Sequence, residues 1–278
     1  ALVWLREDLR IKDNAALSYA TQNHEIVTAL YVYNKIEFDG KREAQKWWLF
    51  KSLKNLQKDL KVYNINLEVL LGDDVEVLAN IKNNQDISIY ANKVYEPSQK
   101  YKETKISSHF NVNKINFKLF KGNILIEYQE VVKDDGTPFK VFTPFWKNAE
   151  QRYLNKIPSK PTNIKKLKNS KSFFKNTIQI EKILPKNNWY KKFEKYWMPS
   201  ETEALKISKE FIKNKISQYG DTRDYPNIEG TSKVSPYLKH GQISVETIWR
   251  ECSEIKNKGK GYRKYINELG WREFSHSL

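Results

Sequence analysis

The sequence predicts an α/β protein: a doubly wound parallel sheet over residues 1–130, then a region that is helical to the end. Three observations carry this. Short apolar runs rich in Val, Ile, Leu and Tyr recur through the first part without polar alternation, as strands covered on both faces do. Amphipathic stretches long enough for helices separate them, and strand–helix alternation implies right-handed crossovers and a parallel sheet. After Pro199 the strand-like runs stop and apolar residues take helical spacing.

In chain order, strands are expected at 2–5, 26–32, 67–71, 87–91 and 115–120, and helices at 14–21, 43–60, 74–82 and 99–110. The opening run, Ala1 to Leu5, is followed by charge rather than preceded by it, so it reads as a buried strand and not a signal peptide. Over 131–195 the pattern breaks. Asp134-Asp135-Gly136-Thr137-Pro138 is a turn signal, and 156–186 is rich in Lys, Asn and Ser, which predicts a long surface connection between domains. From 196 to 278 the chain reads helical. Leu205, Ile207, Phe211, Ile212 and Ile216 fall on one helix face, and Gly and Pro punctuate 220–230. The last eight residues carry neither cap nor stop signal, as a helix cut in mid-pattern would.

With 278 residues, 39% hydrophobic and 29% charged, the composition is that of a water-soluble globular chain of two domains. No run approaches the ~18 apolar residues of a membrane helix. The single cysteine, Cys252, excludes an internal disulfide and fits a reducing, cytoplasmic setting and a buried structural role. The net charge of +16 has two readings. One is an anionic partner such as nucleic acid. The other is a compositional Lys/Asn/Ile bias, since only eight of the 49 basic residues are Arg. There is no G-x-G-x-x-G after the first strand and no phosphate-loop lysine, and the four histidines show no metal-ligand spacing.

Four segments carry more. Trp4-Leu5-Arg6-Glu7-Asp8-Leu9-Arg10 with Asp13-Asn14 reads as strand, charged turn and helix start, with Asp13 or Asn14 as cap. Val141-Phe142-Thr143-Pro144-Phe145-Trp146-Lys147 reads as an aromatic cluster buried at a domain junction. Thr231-Ser232-Lys233-Val234-Ser235 places hydroxyls and backbone N–H groups together. They serve either as a plain helix cap or as a phosphate cradle at a helix start. In Asn267-Glu268-Leu269-Gly270-Trp271-Arg272-Glu273-Phe274, Glu268 and Trp271 are three apart and share one helix face.

Taken in order, and with Tyr219-Gly220-Asp221-Thr222-Arg223 and Gly241-Gln242-Ile243-Ser244, these segments resemble the photolyase/cryptochrome family along the whole chain. The resemblance implies an α/β antenna domain (1–130), a linker (131–195) and the start of an all-α FAD-binding domain (196–278). It implies flavin contacts from Tyr219, Thr231, Ser232, Lys233, Val234, Ser235 and Tyr265. Arg223, Glu268, Trp271, Arg272 and Ser275 would meet DNA, with Glu268 and Trp271 serving a flipped-out pyrimidine dimer as carboxyl and stacking indole. The implied activity is light-driven repair of cyclobutane pyrimidine dimers by a monomer acting on UV-damaged DNA. Reduced FAD is the electron donor, and Glu268 is ideally protonated through burial beside Trp271. The family alternative is a blue-light photoreceptor without repair. An antenna chromophore, deazaflavin or folate, is a further expectation. The family's folate-contacting Asn-Glu pair is replaced here, because Pro97-Ser98-Gln99 follows Tyr95-Glu96. The family's flavin domain continues past this point, so these residues alone are expected to hold little FAD and to be inactive.

Overall fold

The computed structural model describes residues 1–38, 42–81, 87–154, 160–185 and 187–278. Five parallel strands, β1 (Leu2–Leu5), β2 (Thr28–Tyr33), β3 (Asn66–Leu71), β4 (Ser88–Asn92) and β5 (Asn116–Phe120), lie in the order β3-β2-β1-β4-β5. β1 and β2 are buried along their whole length, which accounts for apolar runs that do not alternate. The crossovers hold α1 (Ala15–Asn23), the short α2 (Lys35–Phe38) with α3 (Glu43–Val62), α4 (Asp74–Ala79) and α5 (Pro97–Val112). Asn14, not Asp13, caps α1, its side chain accepting from the Leu17 N–H. Position 82, expected to close the fourth-strand crossover helix, lies outside the described residues.

One apolar cluster sits on each face of the sheet, built around Leu17, Leu53 and Leu60 on one side and Trp4, Leu30 and Phe110 on the other. A third cluster belongs to the helical part. That part comprises α6 (Phe142–Leu154), α7 (Glu201–Asn214), the single turn α8 (Tyr219–Thr222), α9 (Ser235–Lys239), α10 (Val245–Ser253) and α11 (Lys260–Ser277). Trp47 and Trp48 of α3 join this third cluster, and the Trp48 indole donates to the Gln242 side chain at 2.8 Å.

The expected surface connection differs from the structure in two ways. Its first third contains α6, whose Phe145 and Trp146 are buried in the helical cluster. Its Lys-rich part is irregular, yet Ile164, Leu167, Ile180 and Ile183 are buried against the sheet's first face. The physical reason is that sparse apolar residues act as separate anchors without helical or strand spacing. The Glu68 carboxylate accepts the Phe173 and Phe174 N–H groups at 2.8 Å, adding a backbone anchor. Positions 155–159 and 186 lie outside the described residues.

The charged turn after β1 docks the two parts. Glu201, the first residue of α7, accepts the Ile11 and Lys12 N–H groups at 2.7 and 2.9 Å. Asp13 holds Ser244 and Thr247 at the start of α10, and Arg250 in its last turn, through one carboxylate oxygen. Among the described residues no helix is long and apolar enough to cross a membrane, and no His/Cys/Asp/Glu group could hold a metal ion.

Candidate functional site

In an open doubly wound sheet the crevice lies beyond the carboxyl ends of the strands, where their order reverses. Here the reversal is between β1 and β4, and a cavity of about 630 Å³ opens there against the helical part. The α/β side contributes Glu7 after β1, Lys93 to Glu96 after β4, and Asn123 after β5. The helical side contributes Tyr219, the 231–235 turn, Leu238 and Lys239 of α9, and Tyr265, Glu268, Leu269, Arg272 and His276 of α11.

Nine of the twelve residues singled out from the sequence therefore line one cavity: Tyr219, Thr231, Ser232, Lys233, Val234, Ser235, Tyr265, Glu268 and Arg272. The turn that carries the hydroxyls bends at Lys233, whose φ is +54°. Val234, not a hydroxyl, stands at the α9 N-cap, and it makes no side-chain capping bond. The plain-cap reading of the Thr-Ser-x-x-Ser segment is therefore not what the fold uses. Nor does a helix dipole supply the site, because α9 has five residues and its aligned peptides are few. The cationic groups that line the same cavity are Lys93, Lys233, Lys239 and Arg272.

The cavity floor is aromatic. Tyr265 packs on Phe211 and Tyr219 at ring separations of 4.8 and 5.3 Å, and burial pushes both tyrosine hydroxyls up. Glu268 stands at the rim with its side chain one-third exposed. The Arg223 guanidinium donates to its Oε1, and this bond raises the Arg223 pKa. Arg223 also lies over the Tyr219 ring, 5.2 Å from its centroid.

Trp271 and Ser275 do not reach the cavity. Positions three apart on an α-helix diverge by about 60° around the axis, so Glu268 turns inward while Trp271 turns out. The Trp271 ring lies flat on Phe142, and the Ser275 hydroxyl donates to the Trp271 carbonyl at 2.9 Å. In this arrangement the Glu268 carboxylate is held by the guanidinium of Arg223.

Residues 1–163 match the family model for DNA photolyase. The chain belongs to the DNA photolyase family. A deoxyribodipyrimidine photo-lyase of Agrobacterium fabrum is 29% identical over 100% of this chain and 58% of its own length. The crystal structure of a class III photolyase from Agrobacterium tumefaciens superposes with a TM-score of 0.88 at 27% identity, covering 100% of this chain and 58% of that one. A Synechocystis cryptochrome shares the fold, with a TM-score of 0.84 at 22% identity, covering 100% and 60%. The photolyase-family chain thus spans about 58% of the length of these photolyases.

Several residues of this photolyase-family cavity escaped sequence reasoning. Lys239 bridges Glu7 and Glu96. Burial opposes its charge, but the two carboxylates outweigh burial and its pKa is raised. Asn123 ties four places together. Its amide donates to the Leu238 carbonyl at 3.1 Å, its side-chain oxygen accepts the Val245 N–H at 2.8 Å, and its own carbonyl accepts from Arg272 at 2.6 Å. Arg272 is braced in turn by buried Glu273 at 3.0 Å. No local pattern marks these residues. Their common signal is position just beyond a strand's carboxyl end or within the helices that face it. A second cavity, of about 370 Å³, lies at the carboxyl ends of β1, β2 and β4 and shares Glu7, Glu96 and Lys239 with the first. Ser98 and Gln99, which stand where the family's folate-contacting pair is expected, line this second cavity.

Proposed function

We propose that the complete protein repairs cyclobutane pyrimidine dimers in UV-damaged DNA, using light and a reduced FAD held in the larger cavity. The observation that carries this reading is the make-up of that cavity. Its volume falls within the ~300–1,000 Å³ range of small-molecule sites. Hydroxyls and cations gather at the 231–239 turn and Arg272, Tyr219, Tyr265, Val234, Leu238 and Leu269 supply rings and aliphatic groups, and Glu7, Lys93, Glu96, Asn123, Glu268 and His276 add further polar groups. The residues present therefore fit the group.

When bound and reduced, the flavin supplies a photoexcited electron donor. Thr231, Ser232 and Ser235 would hold the diphosphate through their hydroxyls, and Lys233 would offset part of its charge. Tyr219, Tyr265, Val234, Leu238 and Leu269 line the same cavity and would exclude water from the ring system. Glu268, anchored by Arg223, presents its free carboxylate oxygen at the rim, where the edges of a flipped-out dimer arrive. Trp271 offers an indole face to the joined bases, and Arg223, Arg272 and Ser275 meet the flanking DNA. The smaller cavity, at the carboxyl ends of β1, β2 and β4, suits an antenna chromophore of deazaflavin or folate type.

Glu268→Gln in the complete protein is expected to lower the repair yield at least tenfold with FAD still bound at wild-type stoichiometry. An unchanged yield refutes the role given to Glu268. The likeness to a Synechocystis cryptochrome supports a second reading, a flavin photoreceptor without repair. Loss of dimers from an irradiated oligonucleotide, in light but not in darkness, decides for repair, and its absence decides for the photoreceptor.

A further inference from the structure

Trp271 is 47% exposed, yet its ring plane is set. Phe142, the first residue of α6, stacks on it with ring centroids 3.8 Å apart and planes within 9°. Phe274, 6% exposed, meets both rings edge-on at 6.1 and 6.0 Å, and itself rests on fully buried Phe145 at 5.2 Å. The pair therefore stands on the helical core and is not a loose surface contact. A tryptophan this exposed would otherwise sample several rotamers. With one face covered by Phe142, the indole has a single face left for a base.

We propose that Phe142 is a positioning residue for recognition of the lesion. It holds the Trp271 indole flat, so that the free face is already oriented when a joined pyrimidine pair leaves the duplex. This rests on the reading that Trp271 carries a base of the lesion. Preorganisation acts on affinity by removing the ordering that binding would otherwise require. The effect belongs to the damaged base alone, because phosphate contacts do not involve the ring. The Val141-Phe142-Thr143-Pro144-Phe145-Trp146 segment thereby divides into two tasks. Phe145 and Trp146 fill the core, while Phe142, one turn earlier and only partly buried, supports the surface.

The test measures affinity of the complete protein in darkness for a UV-irradiated and an unirradiated thymidine oligonucleotide. Phe142→Leu is expected to reduce the preference for the irradiated strand roughly tenfold, the scale of one lost base–aromatic stack, and to leave unirradiated affinity within about twofold. Phe142→Tyr, which keeps the ring, retains the preference and serves if the leucine variant fails to fold. In a Trp271→Ala background, Phe142→Leu has no further effect on the preference. The proposal is overturned if Phe142→Leu keeps the wild-type preference, weakens both strands alike, or acts equally without Trp271. A wild-type protein with no preference at all overturns instead the repair reading on which it rests.

Discussion

At the scale of single residues, the site depends on side chains held by backbone features with no margin. Gly241 has φ +67°, a region that L-residues with a Cβ rarely adopt, and a Cβ built there lies 1.9 Å from the Glu7 carbonyl oxygen. The same peptide accepts the Arg10 guanidinium through its carbonyl at 2.9 Å. Gly241→Ala therefore forces the turn after β1 to move, and this turn carries Glu7 into both cavities. The expected cost is about 2–4 kcal/mol, read as a lowered urea midpoint. A variant of wild-type stability shows that the turn can yield. Glu273 makes the complementary point. Burial raises its pKa, and it stays useful by accepting the Leu125 N–H at 2.7 Å and bracing Arg272.

At the scale of elements, α11 does most of the sorting. Its eighteen residues send Tyr265, Leu269 and Arg272 into the cavity, and Trp271 out to Phe142. The sequence shows that Glu268 and Trp271 neighbour each other on a helix. It does not show that another element would capture one of them. The segment 160–185 is the clearest case of an element that sequence pattern undervalues. Its four buried anchors cover one face of the sheet although its composition is polar. Ile183 has no exposed surface, so Ile183→Ala is expected to destabilise the protein by about 2–5 kcal/mol, as core truncations do. A change under ~0.5 kcal/mol in a urea titration restores the surface-connection reading. Cys252 behaves as expected of a structural thiol, with burial pushing its pKa up to about 12.

At the scale of the whole molecule, the two parts meet across groups that titrate. His240 and His276 both lie at the junction, and burial pulls each down to about 4, helped for His276 by Arg272 and for both by Lys239. Unfolded histidine titrates near ~6.5, so between these values the native state binds fewer protons than the unfolded one. Their contribution to stability is present in full above pH ~6.5 and is lost as pH falls toward about 4. Half-buried Glu7 and buried Glu201, with raised pKa values, act with the opposite sign, so the informative quantity is a difference. His276→Gln is expected to flatten the decline of the urea midpoint between pH 7 and pH 4.5 relative to wild type. Parallel curves show that His276 does not sense the junction. Around it lie Tyr95 at 6.0 Å and the charges of Arg272, Lys239 and Glu96.

The sequence by itself determined the parallel sheet and the helical character of the rest. Both follow from local periodicity, which survives whatever the neighbours are. Its resemblance to the photolyase/cryptochrome family also singled out nine residues of one cavity, because the motifs that carry the resemblance keep their order along the chain. Tertiary structure alone decided what completes that cavity. Glu7, Glu96, Asn123 and Lys239 come from four separate segments, and only the reversal of strand order between β1 and β4 brings them together. It also decided that Arg223 holds Glu268 and that Phe142 holds Trp271. A pairing between residues 45 or more positions apart leaves no periodic trace in the chain and exists only once the helices have packed.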